Sequence, residues 1–76
     1  MSGQRLATLL ARYGYRVTRQ TGSHLRLTST LRGFEHHITI PTHREIAIGT
    51  LAAVLANIAA YLEMDRAELA RELFGG

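Results

Sequence analysis

A chain of 76 residues, 46% hydrophobic, is too apolar for a disordered tail and too short for a multi-domain enzyme or a doubly wound cofactor fold, so a single thin-cored domain over residues 1–76 is expected. The absence of cysteine excludes disulfides, thiol catalysis and cysteine-ligated zinc or iron–sulfur sites, and argues against a small secreted scaffold. All nine basic residues are arginine and they are unevenly placed: residues 1–44 hold seven against the single acid Glu35, and residues 45–76 hold two against five acids, so the basic half suits a polyanion or an acidic partner, the plain alternative being a solvated surface of a chain with arginine-biased usage.

The first predicted element is a helix over residues 4–13. Leu6, Leu9, Leu10 and Tyr13 recur with the spacing of one helical face, Ser2 can serve as N-cap, and Gly14 suits the position after the last turn. The period then changes to two. Tyr15, Val17 and Thr18 favour one strand and Leu25, Leu27 and Thr28 a second, around a loop Thr21-Gly22-Ser23 in which Gly22 supplies a left-handed residue. A three-residue loop pairs Gln20 with His24, Thr18 with Arg26 and Val17 with Leu27. It collects Val17, Leu25 and Leu27 on one face and Arg16, Thr18, His24, Arg26 and Thr28 on the other. A two-residue loop sets Val17 opposite Arg26 and mixes the faces, so it is rejected.

A third strand is predicted over residues 35–40, reached through a hairpin loop at 29–34 containing Gly33 and ended by Pro41. Ile38 and Ile40 join Leu25 and Leu27 on the buried face, which leaves His37 and Thr39 beside His24 and Arg26. Residues 50–62 form the longest predicted helix, with Leu51, Val54, Leu55, Ile58 and Leu62 on one face and Gly49 or Thr50 as cap. That apolar run is broken by Asn57 and too short to span a bilayer, and no signal-peptide pattern precedes it, so a cytoplasmic chain without membrane attachment is expected. A last helix runs from about 65 to 74, with Asp65 and Glu68 in capping-box spacing and Met64 placed to staple onto Leu69. The expected fold is α+β, α-β-β-β-α(-α): a two-layer sandwich with the helices on one face of a three-stranded antiparallel sheet and the other face open.

That open face gathers His24, Arg26 and Arg16. An arginine can hold a phosphate while a neutral imidazole takes the proton of a ribose 2′-hydroxyl, so that the oxygen attacks the adjacent phosphorus; this chemistry uses no metal or other cofactor. The backbone N–H groups of Gly22 and Ser23 offer an anion-binding concavity at the turn. The plain alternative is that His24 is a solvated turn residue. His43 and Arg44, in the loop after Pro41, are candidate phosphate contacts or a docking point, and otherwise a solvated connection. His36 and His37 are adjacent and so point to opposite faces of a strand, which speaks against a shared metal ion. Tyr13, Tyr15 and Phe34 are candidates to stack bases, but Tyr13 and Tyr15 sit on predicted core faces, where packing is the expected role.

The segments Leu10-Ala11-Arg12-Tyr13-Gly14-Tyr15, Thr21-Gly22-Ser23-His24, Ile38-Thr39-Ile40-Pro41-Thr42-His43 and Gly49-Thr50-Leu51, with the closing Met64-Asp65-Arg66-Ala67-Glu68-Leu69, resemble the HicA mRNA-interferase toxins in order and spacing over nearly the whole chain. The resemblance implies a fold similar to double-stranded RNA-binding domains and metal-independent endonuclease cleavage of mRNA. It also implies His24 as the catalytic histidine and a HicB-type antitoxin that covers the active surface. Family members often carry Lys or Arg before Gly-Thr-Leu and along the helix that follows. Here Ile46 to Val54 has no basic residue, and Ile46, Ala47 and Ile48 form a candidate partner-facing segment. Two other readings stay open: a non-catalytic RNA-binding domain using the same basic face, and a protein-interaction module.

Overall fold

In the computed structural model, which describes residues 1–75, Ser2 caps the first helix, α1 (Gly3–Leu10), by accepting the Arg5 N–H on its hydroxyl at 3.2 Å. Leu6 and Leu10 are wholly buried, as the helical stripe requires. A 3₁₀ turn, Ala11–Tyr13, tightens the end, and Gly14 follows at φ +82°, a conformation other residues rarely adopt. The N-terminus of α1 lies hard against the strand that ends at Pro41. Gln4 N–H donates to the Thr42 carbonyl at 3.2 Å, and a Cβ on Gly3 would stand 1.6 Å from the Pro41 carbonyl oxygen, so only glycine fits there.

Three antiparallel strands follow in sheet order: β1 (Arg16–Gln20), β2 (His24–Ser29) and β3 (His36–Pro41). Leu25 pairs with Ile40 and Leu27 with Ile38, and all four are buried with Leu6, Leu10, Tyr13 and Tyr15; α1 packs on β1 and β2. His36 shares a 2.6 Å hydrogen bond with the Tyr15 hydroxyl, with the rings edge to face at 5.9 Å, and so closes the margin of this core.

The β1–β2 register corrects the expected one. Val17 does face Leu27, and Arg16 faces Thr28, but nearer the turn Arg19 faces Arg26 and Gln20 faces Leu25. Thr18 is the extra residue of a β-bulge. The turn is therefore a two-residue loop, Gly22-Ser23, in a register different from the one rejected from the pattern, which pairs Val17 with Arg26; the bulge absorbs the one-residue mismatch with the far end of the ladder so that Leu25 and Leu27 both stay buried. Val17, expected in the core, is 47% exposed on this edge strand. Gly22 is likewise outside the left-handed region, which among the described glycines only Gly14 and Gly33 occupy.

Residues up to Ile46 form one compact unit and the remainder from Ala47 a second. In the second, α2 (Ile48–Leu62) packs on α3 (Arg66–Phe74) across a 107° bend. Its first backbone bond runs from Leu51 N–H to the Ala47 carbonyl, so the helix begins two residues before the expected start; the cap position is Ala47, which has no side-chain acceptor, and not Gly49 or Thr50. Leu55 and Ile58 are buried as expected, with Ala59 and Tyr61 added. α2 ends at Glu63 in the left-handed conformation, with Met64 N–H donating to the Ala59 carbonyl. Asp65 holds the N-cap position of α3, but its exposed carboxylate makes no cap bond, so the expected capping box does not close. The fold is α+β in the order expected. Among the described residues no single helix is long and apolar enough to cross a membrane.

Candidate nucleic-acid interface

The turn between β1 and β2 is built around the backbone of His24. Thr21 N–H donates to the His24 carbonyl at 3.0 Å, and the Thr21 hydroxyl accepts the His24 N–H at 3.2 Å. Only Gly22 and Ser23 remain outside this bracket. From the other side, Thr42 N–H donates to the Ser23 carbonyl at 2.9 Å, which extends the β2–β3 ladder by one pair beyond His24 and Pro41. The Gly-Ser-His and Pro-Thr-His segments, 17 residues apart in the chain at His24 and Pro41, are thus joined by register. The imidazole stays exposed, with Nδ1 2.9 Å from the Ser23 hydroxyl oxygen. A rigid backbone therefore carries a solvent-facing imidazole whose one nitrogen is engaged and whose Nε2 faces no protein partner among the described residues.

His24 lines an open concavity of about 370 Å³ with Arg19, Thr21, Arg26, His37 and Thr39. Arg26, His37 and Thr39 are where the strand alternation places them. Arg19 and Thr21 are the residues that sequence reasoning missed. The bulge is the cause: Thr18 shares a 2.8 Å hydrogen bond with the Thr28 hydroxyl on this face, and the next residue, Arg19, stands opposite Arg26 on the same face. A signal was present in the pattern: the three-residue register sets the charged Arg19 opposite Leu25, on the buried face. Thr28 in turn shares a 2.7 Å bond with His37 Nδ1, so Thr18, Thr28 and His37 form a hydrogen-bonded chain across the sheet, and His37 Nε2 lies 3.8 Å from a Glu35 carboxylate oxygen.

Arg16, expected beside His24, stands opposite Thr28, four residues along β2 from it. It lines the groove between α1 and β1 with Tyr15, Val17 and Gln20 instead. His43 and Arg44 are exposed just past Thr42, near the turn but outside the concavity. A Cβ on Gly22 would meet nothing within 4 Å, so the turn is open to a ligand at that residue. The adjacent His36 and His37 are drawn to different partners, Tyr15 and Thr28. Among the described residues no three His, Asp or Glu side chains are grouped as metal ligands. Neither Arg19 nor Arg26 has a carboxylate within ion-pair distance among the described residues. The concavity is therefore an anion-attracting surface lined by two exposed imidazoles, His37 and, at its turn end, His24.

A family model described as the HicA toxin of bacterial toxin–antitoxin matches residues 3–59, more than half of the chain and all three strands. No curated protein and no solved structure matches it.

Proposed function

We propose that this chain, which belongs to the HicA toxin family of bacterial toxin–antitoxin systems, is an endoribonuclease that cleaves single-stranded mRNA without a metal and uses His24 as its base. The observation that carries the reading is the exposed His24 imidazole at one end of an arginine-lined concavity, on a backbone fixed by Thr21 and Thr42. In the active form His24 Nδ1–H donates to the Ser23 oxygen, and the lone pair of Nε2 takes the proton of a ribose 2′-hydroxyl. The 2′-oxygen bonds to the adjacent phosphorus, the bond to the 5′-oxygen breaks, and that oxygen leaves as a hydroxyl protonated by solvent. Arg26 holds the phosphate while its charge rises. The Gly22 and Ser23 N–H groups, Arg16, His43 and Arg44 extend the contacts to neighbouring nucleotides.

A HicB-type antitoxin silences such a site most simply by covering it, with acidic or hydrogen-bond-accepting groups turned toward His24 and Arg26. On this reading the pair acts in the cytoplasm, with its mRNA substrate. The test is a digestion of single-stranded RNA in excess EDTA. The wild type is expected to cleave and a folded His24→Ala protein to leave the RNA intact. Equal cleavage by both removes His24 from the mechanism; RNA binding without any cleavage returns the chain to a non-catalytic RNA-binding role.

A further inference from the structure

We propose that Arg19 and Arg26 act together as a two-arginine clamp for one phosphate, and that the β-bulge at Thr18 exists to complete it. The two guanidinium-bearing residues stand directly opposite each other on antiparallel strands. Like charges in that relation destabilise a sheet. No carboxylate among the described residues neutralises either of them. A plain ladder with a three-residue turn would have set Thr18 opposite Arg26, which costs nothing electrostatically. The fold instead interrupts its ladder with an extra residue and brings a second positive charge into the concavity. An anion shared between the two side chains turns that repulsion into attraction. Each guanidinium presents a planar fork of N–H donors matched to phosphate oxygens.

The position of the clamp agrees with the chemistry. Arg26 is two residues from His24 on the same face of β2, about 7 Å along the strand. A phosphorus held between the arginines therefore has the imidazole beside it and not across the sheet. Arg19 then acts on the reacting phosphate itself, where charge grows on the non-bridging oxygens in the transition state. The source of the phosphate, an RNA phosphodiester, rests on the ribonuclease reading; the clamp as an anion site does not.

The experiment separates the two. Inorganic phosphate is titrated into ¹⁵N-labelled wild type, Arg19→Ala and the charge-matched control Arg5→Ala, with the arginine Nε–H signals followed by NMR. Shifts at Arg19 and Arg26 in the wild type, lost in Arg19→Ala and kept in Arg5→Ala, are expected. Without phosphate at low salt, Arg19→Gln should melt about 1–5 °C above the wild type because the opposed charges are gone, and added phosphate should raise the wild-type melting temperature but not that of the variant. On RNA, Arg19→Ala should lower kcat about 100-fold or more with a smaller change in KM, and Arg19→Lys should recover only part of it. No wild-type shift at either arginine, or an Arg19→Ala titration identical to wild type, overturns the clamp whether or not the protein cleaves RNA. Phosphate binding at the pair in a wild type that cleaves no RNA sustains the clamp and removes the ribonuclease reading.

Discussion

Ser23 and Thr42 meet across the end of the β2–β3 ladder, and each carries a hydroxyl with a separate consequence. The Ser23 oxygen is the partner of His24 Nδ1, so in the proposed mechanism it selects which imidazole nitrogen is left to act as base. One exposed hydrogen bond is worth about 0.5–1.5 kcal/mol, so Ser23→Ala is expected to lower kcat for RNA cleavage about 2- to 10-fold without loss of fold. An unchanged kcat would mean that the imidazole orients without help. Thr42 is wholly buried, and its hydroxyl oxygen has no hydrogen-bond partner among the described residues. Such a group costs about 1–3 kcal/mol against an apolar one of the same shape. Thr42→Val should therefore raise the unfolding free energy by about 1 kcal/mol in a urea titration, and a loss of stability would contradict the assignment.

At the scale of elements, α1 and the end of β3 are held so closely that they behave as one piece. Gly3 admits no side chain against the Pro41 carbonyl, and Gln4 bonds to the Thr42 carbonyl. Gly3→Ala must push α1 away from the strand that positions Thr42 and, through Ser23, the His24 turn. A loss of about 2–3 kcal/mol is expected from the overpacking, with RNA cleavage lowered at temperatures where the variant is still folded. Equal activity and stability would show that the contact relaxes freely. Much of this architecture was legible from the pattern. Ser2 and Gly14 bounded the first helix because capping chemistry is local, and Leu25, Leu27, Ile38 and Ile40 found their partners because period-two burial fixes register. The β1–β2 turn was legible only in part: a charged Arg19 opposite Leu25 signals a register fault, but a bulge is a compromise between turn geometry and burial that neither states alone. Arg19 was lost from the site with it, and Arg16 was put in its place. Gly3 went unread because its reason lies in a contact with Pro41, 38 residues away. The capping box at Asp65 had the right spacing, but an exposed carboxylate has water as an alternative partner.

Over the whole molecule the asymmetry of charge bears on both proposed ligands, the RNA and the antitoxin. Seven of the nine arginines lie before Glu45, and this half also holds the His24 concavity. RNA affinity should fall with salt, and removing both Arg19 and Arg26, which share one phosphate, should flatten the slope of log K against log salt by about 0.7 on single strands, with each single variant flattening it by less. Slopes equal to wild type would move the phosphate contacts elsewhere. An antitoxin that occludes the same surface should slow hydrogen exchange over residues 16–28. Protection confined to residues 47–75 would instead point to inhibition from the helical unit, where Ile48 is 87% exposed. All these outcomes depend on one chemical claim, that His24 deprotonates a 2′-hydroxyl which then attacks phosphorus. The most direct measurement is the end groups of RNA fragments made by the wild type in single turnover, read by mass spectrometry, beside RNA 2′-O-methylated throughout. The account predicts 2′,3′-cyclic phosphate and 5′-hydroxyl ends and no cleavage of the methylated RNA. Fragments with 5′-phosphate and 3′-hydroxyl ends, or cleavage of the methylated strand, would contradict it.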